Sequence, residues 1–286
     1  MSVRFELPYE SVRDRALLEL RFETEGPIHL GSGESGISKK VLKIYWQGKK
    51  HFFIPSNSVK GVFRQIGTRI AKSMRFDEVV QLSLNEHTKA GHNFGNSEKI
   101  KDLEKNCSQQ AREFVSVQQE EEERYELLSS LACPICRLFG SRYFSSKLMF
   151  SDSLPETSYI FDNYTSVAMQ RKTKVAEPGR LYTSEFIHGT DKIIFNQQIV
   201  ADNLSGTNEG KVFSNLIKLI VFSGVKVGGM KSRGYGLLTV DQSNSKVKLV
   251  NFKMGKELNE YQKIRKLLFK DDYMNLSLLE YAELIG

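Results

Sequence analysis

Gly224, Gly228, Gly229, Gly234 and Gly236 fall within thirteen residues, and neither a helix nor a strand runs easily through so glycine-rich a stretch. The chain must turn there. Before the turn, Glu209 to Phe222 carries Phe213, Leu216, Ile217 and Ile220 at helical spacing. After it, strands are expected at Leu237 to Val240 and Lys246 to Phe252. Glycine lets backbone N–H groups approach an anion with no Cβ in the way. Gly229 and Gly234, with Lys231, Ser232 and Arg233 beside them, are therefore candidates for holding phosphate, a contact that positions a polyanion without reading its sequence. Solvated charges on a flexible turn are the alternative.

Upstream, residues 16–24 alternate apolar and polar as a half-buried strand does, and Gly31-Ser32-Gly33 follows as a loop. Residues 41–46 and 51–54 read as a hairpin turning at Gln47-Gly48. Ser56-Asn57-Ser58 supplies helix-start chemistry after Pro55, and Val59, Val62, Phe63, Ile66, Ile70 and Met74 form one apolar helical face. Lys60 and Arg64 point away from that face. A phosphate near Ser58 and Lys60 would meet the positive end of a helix, with Arg64 one turn on.

Residues 77–130 are polar and end in an acidic helical stretch. They predict a mostly helical insertion that returns to the core by residue 140. Lys147 to Ser151 is a short strand. Residues 155–180 are loop-like and basic, with strands expected at Leu181 to His188 and Lys192 to Val200, and a helical tail over 258–285 within a C-terminal segment 255–286. The order strand, helix, strand pair, helix, strand is that of an α+β, ferredoxin-like (RRM-like) βαββαβ core in one domain, whose free sheet face other proteins use for RNA.

The chain of 286 residues carries 41 Lys plus Arg against 34 Asp plus Glu, an excess that favours polyanionic partners. It contains no apolar run long enough to span a membrane, and the first six residues lack a signal-peptide core, so a cytoplasmic location is expected. Three cysteines do not make a disulfide framework. Cys133 and Cys136 have the spacing of a zinc-ligand pair, which Cys107 and His87, or His92, would complete as a structural site; two buried reduced thiols are the alternative.

Four segments occur in a telling order: Gly31-Ser32-Gly33, Ile54-Pro55-Ser56-Asn57-Ser58-Val59-Lys60-Gly61-Val62-Phe63-Arg64, Cys136-Arg137-Leu138-Phe139-Gly140-Ser141, and Gly228 to Gly236. Together they resemble the RAMP superfamily, in particular the RNA-binding backbone subunits of type III CRISPR effector complexes. The usual helix opening there has Gly-Ser where this chain has Ser56-Asn57. The resemblance implies a palm on the βαββαβ core, residues 77–140 as a mostly helical insertion and residues 155–180 as a thumb-like hairpin or loop. In the thumb, Met169 would be a wedge between bases and Gln170, Arg171, Lys172 and Lys174 the polar and cationic support. It implies guide RNA and target RNA as ligands, and a filament shared with other RAMP subunits and with the large and small subunits of the complex.

Cleaving members of this family resemble one another in a Gly-Ile-Asp loop whose aspartate supports metal-dependent cutting. The matching residues here are Gly36-Ile37-Ser38, and a serine neither holds a divalent ion as a carboxylate does nor acts readily as a base. Glu34, with magnesium, or His29, without a metal, are the remaining candidates for catalysis. The expectation is a subunit that binds without cutting, with an active endoribonuclease and a filament-capping interaction subunit as the alternatives.

Overall fold

Strand β1 (Asp14–Thr24) forms as its alternation predicts, with Ala16, Leu18, Leu20 and Phe22 buried and the residues between them half-buried. The computed structural model describes residues 12–24, 26–33, 38–74, 134–140, 145–170, 172–252, 260–270 and 272–286. Along one edge, β1 pairs antiparallel with β8 (Ile193–Asp202) from Arg15↔Asp202 to Thr24↔Ile193. Its other edge is shared: β11 (Lys246–Asn251) takes the first half and β10 (Leu237–Val240) takes Phe22 and Glu23. β5 (Leu148–Phe150) lies outside β8, β9 (Val225–Lys226) outside β10 and β12 (Met274–Leu276) outside β11. The result is a mixed α+β fold on a seven-stranded antiparallel sheet.

Among the described residues, the two longest helices lie on the buried face. α1 (Ser56–Ser73) buries Val59, Phe63, Gly67 and Ala71, while the expected stripe members Val62, Ile66, Ile70 and Met74 are only partly covered. The helix is rolled towards its small residues because it meets two neighbours there. A Cβ on Gly67 would stand 3.1 Å from the Phe139 ring and 3.5 Å from Leu216. Phe139 ends the short α2 (Pro134–Phe139), and Leu216 belongs to α3 (Asn208–Ser223). In α3 the stripe Phe213, Leu216, Ile217 and Ile220 is buried as expected.

Three expectations change. Residues 181–188 do not join β8 in the main sheet. They belong to β7 (Ala176–His188), which pairs with β6 (Ile160–Met169) and, in parallel, with β2 (Ser38–Lys39) in a second sheet. β8 buries alternate residues Ile193, Phe195, Gln197, Ile199 and Ala201 and so fits the core, whereas β6 is exposed along nearly its whole length. Accordingly, most of 155–180 takes the hairpin form implied by the resemblance and not the loop read from its composition. The tail also contains a strand: α4 (Glu260–Leu267) and α5 (Leu278–Ile285) flank β12, which takes an open edge of β11. The insertion read over 77–130 lies outside the described residues.

Candidate nucleic-acid interface

At the end of the sheet where β1 finishes, the glycine-rich turn lies against Pro27–His29. Val227 N–H donates to Gly236 O at 2.9 Å, Gly236 N–H to Pro27 O at 2.8 Å and Gly229 N–H to His29 O at 2.8 Å. Gly228 and Gly236 have φ of 76° and 75°, and a Cβ on them would stand 2.2 Å from His29 O and 2.0 Å from Val227 O. These glycines serve close backbone packing. The Gly229 amide, expected to face phosphate, is committed to His29, while Gly234 has open space around its Cα.

The turn then displays its cations. Lys231–Arg233 form a single 3-10 turn, with Ser232 and Arg233 exposed and Lys231 half-buried. Arg233 Nη2 donates to Tyr182 Oη at 3.1 Å, and Lys39 Nζ lies 5.7 Å from the centroid of the Tyr182 ring. Tyr235 of the turn meets Phe186 edge-on, with centroids 5.7 Å apart. Alternation along β7 puts Tyr182, Ser184, Phe186 and His188 on one face, and their partners place Ser166 and Tyr164 of β6 beside them. Hydrogen bonding from Arg233 holds the Tyr182 hydroxyl below the usual tyrosine range and raises the guanidinium, while desolvation lowers Lys231. Cations interleaved with aromatic rings are the chemistry of single-stranded nucleic-acid binding: charge for phosphates and π faces for bases.

Beyond this face the β6–β7 arm ends in a tight turn, where Gln170 N–H donates to Val175 O and Lys174 N–H to Gln170 O. Met169, Gln170, Lys172 and Lys174 are exposed there, Met169 at 59%. Arg171 lies outside the described residues.

The first helix is arranged differently from the expectation. Ser56 N–H donates to Asp152 Oδ1 at 2.7 Å, so a carboxylate of this chain already stands at the positive helix end where phosphate was expected. Ser58 N–H is turned to Pro55 O, and Lys60 is half-buried, its pKa lowered by desolvation and then by Arg64. Arg64 reaches inward and donates to Gly140 O at 2.9 Å, which joins the Ile54–Arg64 and Cys136–Gly140 segments. The helix start and the glycine turn lie towards the same end of the sheet but at opposite edges. From β5 across β8, β1 and β10 to β9 is four strand spacings, about 19 Å.

Among the described residues, the basic side chains along the free face of the main sheet are paired with carboxylates. Arg15 pairs with Asp202 at 2.7 Å, Arg21 with Glu156 and Asp241, Lys192 with Glu23, and Lys246 and Lys248 with Glu19.

His29 is buried, and its Nδ1 lies 2.6 Å from Glu185 O. A carbonyl only accepts, so Nδ1 carries the hydrogen and the ring acts as a structural link. The Ser38 backbone pairs with Thr183 in β2, and Glu34 lies outside the described residues. Cys136 is buried in α2, whereas Cys133, Cys107, His87 and His92 lie outside the described residues. Among the described residues no three His, Cys, Asp or Glu side chains gather to hold a metal, and no helix is long and apolar enough to cross a membrane.

Sequence reasoning missed Lys39, Tyr164, Tyr182, Phe186 and Tyr235. The period-two series Tyr182, Ser184, Phe186, His188 was the available signal. A family model described as the RAMP superfamily matches residues 21–239. No curated protein matches the chain significantly.

Proposed function

Since the chain belongs to the RAMP superfamily, we propose that it is a guide-RNA-binding backbone subunit of a type III CRISPR effector complex that holds guide and target RNA without cutting. Membership itself supports a CRISPR-associated, RNA-binding role. The observation that carries the finer reading is the Arg233–Tyr182–Lys39 contact, which joins the glycine-rich turn to the projecting β6–β7 arm in one cationic, aromatic surface. The order β10/β11, β1, β8, β5, all antiparallel, with α1 and α3 in the two crossovers, supports a ferredoxin-like palm. The arm is the thumb, with Met169 at its tip. Ser38 in place of the loop aspartate supports binding without cleavage. Other RAMP subunits and the large and small subunits would complete the particle.

The test uses the full chain and labelled single-stranded RNA at several salt concentrations. Each phosphate contact should add about −0.7 to the slope of log K against log salt. Arg233→Ala should make the slope shallower by about that amount and weaken unrelated sequences alike. A flat salt dependence overturns the reading. With magnesium, wild-type cutting of target RNA that disappears in Glu34→Ala overturns its non-cutting half.

The Cys133–Cys136 pair remains our proposed structural zinc site. Elemental analysis of the purified chain should find about one zinc per molecule, and a metal-free protein of unchanged melting temperature removes it.

A further inference from the structure

The β3–β4 hairpin has no part in the surface described above. β3 (Lys43–Trp46) and β4 (Lys49–Phe52) are joined through Gln47 and Gly48, whose φ values of 47° and 77° are those of a type I′ turn, the tightest hairpin connection. Its tip presents Tyr45 at 70% and Trp46 at 50% exposure. Tyr45 faces Lys50 across the strands and Trp46 faces Lys49, so each exposed ring has a cation directly opposite, on the two sides of the ribbon. No carboxylate occurs between Glu34 and Asp77.

The hairpin root is fixed. Phe52 is fully buried and its N–H donates to Tyr159 Oη at 2.9 Å, while Lys43 bonds Glu185 at 2.6 Å and lies 4.2 Å from the Phe161 ring centroid. By alternation, Phe161 and Glu185 lie on the face of the β6–β7 arm opposite Tyr182 and Phe186. The hairpin therefore flanks the arm on the side away from the glycine-rich turn.

We propose that the β3–β4 tip is a second nucleic-acid contact, where an unpaired base stacks on Trp46 or Tyr45 while Lys49 and Lys50 hold its phosphates. This rests on the reading of the chain as an RNA-binding subunit. Lysine is depleted from the centres of protein–protein interfaces, whereas rings flanked by cations suit a polyanion with π faces.

Trp46 is the chain's single tryptophan, so intrinsic fluorescence reports this one position. Titration of the full chain with single-stranded oligo(U) RNA, followed at once by Trp emission and by anisotropy of a label on the RNA, should give saturable quenching at the concentration where the RNA binds. Trp46→Ala together with Tyr45→Ala should weaken binding roughly ten-fold, whereas Trp46→Phe should keep most of it. Lys49→Ala with Lys50→Ala should reduce the salt slope. RNA that binds by anisotropy while Trp46 emission stays constant overturns this contact and leaves the proposed function standing. RNA that does not bind at all overturns both. An emission shift that follows protein concentration without RNA assigns the tip to contact between copies and overturns the proposal.

Discussion

Gly236→Ala is expected to destabilise the chain by about 4 kcal/mol, seen as a lower urea midpoint, and to abolish the RNA affinity that depends on the turn. The cause is geometric. Gly236 has φ of 75°, and an added Cβ would stand 2.0 Å from Val227 O, the carbonyl of the residue whose N–H donates to Gly236 O. Gly236 cannot give way without breaking its bond to Pro27 O, nor Val227 without breaking its bond to Gly236 O, so left-handed strain and a backbone clash add. Gly234→Ala is the control, because φ is 88° there but nothing lies within 4 Å of the new Cβ. Only conformational strain remains, about 1 kcal/mol. Equal losses in the two variants would mean that the turn is not seated on Pro27–His29.

Glu209→Gln is expected to cost about 4 kcal/mol, read in the same unfolding assay. The Glu209 carboxylate is 2% exposed, in the first turn of α3, with Arg137 Nε at 2.7 Å and Lys147 Nζ at 3.4 Å. It ties α2, the residue preceding β5, and α3 together, and its removal leaves two largely buried cations facing each other. The loss should depend on pH. Desolvation already holds Lys147 below its ordinary 10.5, while Glu209 pulls it back up. Without the carboxylate the Lys147 pKa falls further. The unfolded chain then binds the extra proton over a wider window below 10.5, and stability rises with pH there. The deficit of Glu209→Gln should therefore shrink as pH rises towards 10.5. A deficit that grows over that range would reject the buried triad as its source.

Local patterns were legible where one element's own residues decide the outcome. The alternation of β1 and the α3 stripe reflect which side of a strand or helix is apolar, and that is written within ten or so residues. The Gln47–Gly48 turn was legible for the same reason. Other assignments depended on distant residues. Nothing in 181–188 distinguishes a strand that pairs with β8 from one that pairs with β6, because alternation names a buried face and not a neighbour. Arg64 lies on the polar side of α1, yet its guanidinium is long enough to reach back to Gly140, 76 residues along the chain.

The amino-acid order by itself determined the types of the core elements β1, α1, β8 and α3, the family-like succession of motifs and the concentration of glycine at one turn. Only the tertiary structure decided what those glycines are for, bringing His29 O against Gly228 and Tyr182 against Arg233. The reason is that a glycine's freedom is local, but whether its amide meets a phosphate or a carbonyl depends on which remote backbone folds against it.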